Sequence, residues 1–117
     1  MAALIAGLSN VACDSSDRIA TDILRRTIPP GDSSPLLSRP TWSGQSVRFT
    51  WEFETGVGPG YADWLVQHLH EFRVFERDAS HLWLSKYVEG EAYTLRIALE
   101  PMIQRTYVRV TLTASPD

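Results

Sequence analysis

The sequence predicts an α+β domain: one antiparallel sheet, in the order β-α-β-β-β-β, with a single helix packed across one face. Three observations predict it. Residues 46–54 alternate apolar and polar side chains without a break, which is the period of a strand with one buried face. Residues 61–72 carry apolar side chains at helical spacing, so they form one stripe on a helix. From residue 73 onward, β-prone runs are separated by connections of only a few residues, and strands joined that closely pair antiparallel.

In the first strand Val47, Phe49, Trp51 and Phe53 point one way, and Arg48, Thr50, Glu52 and Glu54 the other. Gly56-Val-Gly-Pro-Gly60 breaks the strand. The helix then runs from about Pro59 to Phe72, with Tyr61, Trp64, Leu65, His68, Leu69 and Phe72 on its inner stripe. Pro59 suits a first-turn position, where its missing N–H costs nothing. Trp51 and Trp64 are expected to be buried where strand meets helix. Residues 73–77 form a short strand of ambiguous facing. Strands follow at 81–88, 92–99 and 105–113, with Tyr93, Leu95, Ile97, Val108, Val110 and Leu112 turned inward. The first strand is expected at an edge or beside the last strand.

Composition bounds the rest. The chain has 117 residues, 44% apolar, with four each of Trp, Tyr and Phe, enough for one packed domain. Every aromatic residue lies between Trp42 and Tyr107. Because aromatic side chains dominate core energetics, residues 42–117 are expected to form the domain, with a leader over 1–13 and a tether over 14–41. Within the tether, Ser16 suits the cap of a short helix from Asp17 to about Arg26. Pro29, Pro30, Pro35 and Pro40 then favour a semi-extended spacer; the alternative is a loop wrapped on the domain by Leu36 and Leu37. The net charge of −3 supplies no basic field, so nucleic acid is not an expected partner.

Residues 1–13 are apolar and uncharged, small residues precede Cys13, and Asp14, Ser15, Ser16 and Asp17 follow it. This arrangement resembles the end of a bacterial lipoprotein signal peptide. The resemblance covers about a dozen residues and implies lipidation of Cys13, with anchoring in the cell envelope through acyl chains. Asn10 stands where such leaders place a large aliphatic residue, and no Lys or Arg precedes the apolar stretch. The alternative is an ordinary apolar segment on a cytoplasmic protein. With one cysteine, no intramolecular disulfide forms.

No catalytic or cofactor pattern emerges. His68 and His70 are two apart on a helix and face different ways, and His81 has no ligand spacing to either, so no metal site is expected. The glycines at 56, 58 and 60 lack the spacing and the parallel-strand context of a phosphate loop. Asp63 and His70 would serve as an acid–base pair only beneath a cleft. No enzyme activity and no cofactor are therefore expected, and a small enzyme of unrecognised type is the last alternative. The surface with chemical content is the sheet face opposite the helix, which by parity carries Arg48, Thr50, Trp83, Ser85, Tyr87, Thr94, Arg96, Tyr107, Arg109 and Thr111. Of these, Arg48, Trp83, Tyr87, Arg96, Tyr107 and Arg109 are the candidate binding residues, since aromatics and arginines stack and hydrogen-bond a ligand. The same residue types also make an ordinary solvent-facing sheet. The expected partner is an envelope protein or a glycan; for a cytoplasmic chain the same face would serve a regulatory partner or a second copy.

Overall fold

The computed structural model describes residues 17–116, so Cys13 and the leader lie outside the described residues. A helix over 17–27, α1, precedes β1 (Thr41–Ser43) and β2 (Ser46–Thr55). A 3-10 turn, Gly58–Gly60, leads into α2 (Tyr61–His68). Then come β3 (Arg73–Arg77), β4 (His81–Val88), β5 (Glu91–Pro101) and β6 (Thr106–Pro116). The six strands form one open antiparallel sheet in the order β1-β2-β6-β5-β4-β3. The α+β class and the open sheet are as the pattern predicts, and β2, the strand read first in the sequence, lies beside the last.

The period-2 pattern sets the register. Phe49 faces Leu112 and Trp51 faces Val110 across β2 and β6, while Leu95 and Ile97 of β5 oppose Leu112 and Val110 on the other side. These side chains form one continuous apolar surface, all of them buried. The β4–β5 hairpin closes through Glu89 and Gly90, at φ +50 and +83. Two successive positive φ values make the turn whose twist matches paired strands, and glycine accepts its half without a Cβ penalty.

α2 is shorter than its stripe. Leu69 leaves helical geometry at φ −102, ψ 48, and the Phe72 N–H donates to the Leu69 carbonyl in a turn. Leu69 and Phe72 are buried from that turn. Trp64 is only half-buried: its ring lies tilted on Tyr61 and stacks on His68 with centroids 4.9 Å apart. Trp64 therefore closes the outer side of the helix, and the aromatic that meets the Trp51 strand is Tyr61, edge-on to Phe53.

The largest difference from expectation concerns the stretch read as tether. α1 contributes Ala20, Ile23 and Leu24 to the core, all buried. Thr27, completely buried, joins three elements: its Oγ1 accepts from Trp51 Nε1 at 3.0 Å and donates to the Leu24 carbonyl, while its own carbonyl accepts from the Tyr61 hydroxyl at 2.8 Å. Burial, with Asp32 nearby, pushes the Tyr61 hydroxyl up from its usual pKa, so it stays a donor. Arg26 clamps the same helix to the end of α2, donating to the His68 carbonyl and to both carboxylate oxygens of Glu71. The packed unit thus begins at α1 and not at residue 42. Beyond α1 the proline segment lies along β2, where the Ser38 N–H donates to the Thr50 carbonyl at 3.0 Å. Leu37 packs on the core, while Leu36 points to solvent.

Candidate functional site

Both helices lie on the sheet face that carries Trp51, Leu95 and Val110. The register puts Arg48, Trp83, Tyr87, Arg96, Tyr107 and Arg109 together on the opposite face. None of the six is buried, and the core residues of both helices lie on the other face. The parity that predicts this face survives because the one irregularity in the sheet falls in β3, between Val74 and Glu76, a strand that carries none of the six.

That bulge has its own consequence. An extra residue in one strand re-aims its side chain, and here Phe75 turns toward the open face. Its ring lies 5.5 Å from that of Trp83, and the Arg73 guanidinium lies over it at 5.2 Å. Sequence reasoning leaves the facing of 73–77 ambiguous for this reason: no periodic signal marks a bulge. His81 and Glu52 were legible by parity with Trp83 and Arg48, and both belong to the site.

Across the middle of the face runs a transverse row, Glu76–Trp83–Arg96–Thr111–Thr50, each residue opposite the next in register. The Arg96 guanidinium sits over the Trp83 ring at 4.6 Å, a cation–π arrangement. A cleft of about 360 Å³ opens here, with Glu76, His81, Trp83, Arg96, Arg109 and Thr111 among its walls. The Trp83 Nε1 is sequestered and has no hydrogen-bond acceptor among the described residues.

Beside this row lies a second cluster. Arg109 Nε donates to Glu52 Oε1 at 3.0 Å, and Tyr107 lies near enough to Glu52 to lower its pKa. Tyr107 first, and then the hydrogen bond and charge of Arg109, hold the Glu52 carboxyl below its usual pKa against the opposing cost of desolvation. Glu52 in turn raises the pKa values of Tyr107 and Arg109. The six candidates are therefore not equivalent. Trp83, Arg96 and Arg109 meet at one cleft; Tyr107 and Arg109 are engaged with Glu52; Arg48, opposite Thr113, and Tyr87, opposite Ala92, stand apart from the cleft. Arg48 and Arg96 have no ion-pair partner among the described residues.

The other groups weighed for chemistry are dispersed. Asp63 is paired with Arg77, His70 is exposed on the turn after α2, and His68 is stacked on Trp64. Among the described residues no three His, Cys, Asp or Glu side chains are grouped to hold a metal, and no helix is long and apolar enough to cross a membrane. Comparisons with protein-family models, curated proteins and solved structures find no match for this chain.

Proposed function

We propose that this protein is a non-catalytic binding domain of a bacterial cell envelope, held there by a lipid on Cys13, and that the uncovered sheet face receives an envelope protein or a glycan. The observation that carries the reading is the division of the sheet. Both helices are spent on one face, while the other gathers aromatic and arginine side chains around a cleft. Aromatics and arginine are the residue types enriched where proteins recognise partners.

The packing of α1 sharpens the anchored arrangement. With the helix over 17–27 fixed to the sheet, the spacer after Cys13 shrinks from twenty-eight residues to the three at 14–16. Four Cα steps reach at most about 14 Å, so a lipid on Cys13 would hold the domain against the headgroups. Arg18 and Ile19 share a groove with Lys86, Val88 and Tyr93, so the end of the sheet that carries the β4–β5 turn would face the bilayer.

Two measurements test the proposal. Intact mass of the protein from its native host should show cleavage before Cys13 and added acyl chains; an unmodified N-terminus would move the domain inside the cell. Separately, the Trp83→Ala/Arg109→Ala variant should lose capture of envelope material that the wild-type chain retains. Equal capture by both would end the binding role of this face.

A further inference from the structure

The geometry points to the cleft between Trp83 and Arg96 as a subsite for a carboxylate-bearing sugar, a uronic acid ring or a short oligomer of them. The inference rests on the open face being a binding surface and adds the chemistry of what it binds.

Four features of the cleft converge on that ligand. First, Arg96 is a cation at the cleft that no acidic side chain pairs among the described residues. Arg109 is held by Glu52 at 3.0 Å and Arg26 by Glu71 at 2.7 Å, whereas no acidic side chain lies within ion-pair distance of Arg96 among the described residues. Its guanidinium lies over the Trp83 ring, which reduces its rotamer freedom, and a guanidinium so placed presents its fork of N–H donors to a carboxylate at low entropic cost.

Second, the Trp83 Nε1 lacks an acceptor. An indole N–H left without a partner in a sequestered position carries a desolvation cost, which a ligand oxygen would remove on reaching it as the side chains around it shift. Third, the walls are mixed. Trp83 offers aromatic edge, and Leu82, Ile97 and Ala98 apolar surface, to the C–H groups of a sugar ring. Glu76 accepts from sugar hydroxyls and Thr111 both donates and accepts. Fourth, the volume of about 360 Å³ lies at the small end of small-molecule sites, suited to one or two sugar rings. An acidic peptide side chain would satisfy Arg96, but it brings neither the ring face nor the array of hydroxyls that the other walls are built to meet.

The test uses the full chain labelled with 15N. The dimers of galacturonic, glucuronic and mannuronic acid are titrated separately, each beside its methyl ester, and a glutamate-containing tripeptide serves as the peptide control. At least one free-acid dimer should bind and shift the Trp83 indole resonance, identified by its loss in Trp83→Phe. The methyl ester of that dimer should bind at least tenfold more weakly, a comparison that needs no variant. Arg96→Ala should weaken the free acid at least tenfold, while Arg96→Lys, which keeps the charge without the fork, recovers only part of the loss. Binding by none of the three dimers overturns the inference, as does equal affinity for acid and ester, or a tripeptide that matches the sugars. These results separate from the broader reading. If no uronic acid binds but the Trp83→Ala/Arg109→Ala variant still loses envelope capture, the ligand class falls and the face stands; if capture is also unchanged, both fall.

Discussion

The sheet has a tryptophan near the middle of each face, and the two are treated differently. Trp51 is 2% exposed, and its indole N–H donates to Thr27 Oγ1. Trp83, on the open face, is half-buried beneath Arg96, and its indole N–H has no acceptor among the described residues. The contrast extends outward from each ring. Around Trp51 the polar atoms of Thr27 and Tyr61 are paired within the fold, as burial demands. Around Trp83 a donor and a guanidinium are left over. A sheet with no other purpose than its own stability has no physical reason to sequester an indole N–H unpaired, since that costs stability. The indole N–H on the covered face is thus satisfied and the one on the open face is not, although Asp32 Oδ2, beside Tyr61, is likewise buried without a partner among the described residues.

The comparison breaks most sharply at Trp51. Trp51→Ala removes the largest buried side chain of β2 and should cost about 3–5 kcal/mol, enough to unfold a domain of this size. Chemical denaturation of the variant checks it; near-native stability would mean that the helices hold the sheet without this contact. Deletion of residues 1–28 should be comparably damaging, because it strips Ala20, Ile23 and Leu24 from the core and Thr27 from Trp51. A truncated chain that still melts cooperatively at the wild-type temperature would return α1 to the status of a tether. Next comes Thr27→Val, close in shape, which leaves the Trp51 N–H and the Tyr61–Thr27 geometry to fend without the hydroxyl. A loss of about 1–3 kcal/mol is expected from the unsatisfied buried donor.

On the other face the same kind of change should matter far less to the fold. Trp83→Ala is expected to alter stability by no more than about 1 kcal/mol, while abolishing uronic acid binding. If its cost approached that of Trp51→Ala, the residue would be structural and the division between the faces would fail.

How much of this was legible in the sequence depends on which physical signal each element leaves. Period-2 alternation placed β2, β5 and β6 and all six candidate surface residues on the right faces, because register in a sheet with one buried side is strongly specified. The role of α1 was hidden by the choice of aromatics as the marker of the core. Its buried residues are Ala20, Ile23, Leu24 and Thr27, small and aliphatic, so a stretch without aromatics still supplies a packed helix. Trp64 shows the converse: apolar spacing put it on the inner stripe, but helix α2 ends at His68, and a flat ring at the stripe's margin stacks on that histidine. The cleft itself was only half legible. Parity brings Trp83, Arg96 and Arg109 together, but the bulge that swings Phe75 beside Trp83 and the capture of Arg109 by Glu52 depend on geometry that residue spacing does not encode.

The smallest expected effect sharpens the distinction between Arg109 and Arg96. Glu52 is held below its usual pKa of 4.5, first by the Tyr107 hydroxyl and then by Arg109. A carboxyl whose folded pKa is depressed contributes stability above its unfolded pKa and loses it as pH falls through the folded one. The network should therefore be intact at neutral pH and come apart only in acid, below 4.5. Because the residues are exposed, solvent screening keeps the stability change small, and the informative quantity is the titration itself. The side-chain carboxyl resonance of Glu52 should show a midpoint below 4.5. Tyr107→Phe and Arg109→Ala should each raise that midpoint. In the Glu52→Gln variant Arg109 is released while Arg96 is untouched, so a second guanidinium becomes free at the same cleft. Uronic acid affinity should then rise modestly and keep its dependence on Arg96. If Glu52 instead titrates at an ordinary value, Arg109 is already free in the folded protein, the two arginines are equivalent, and the assignment of carboxylate recognition to Arg96 alone is wrong.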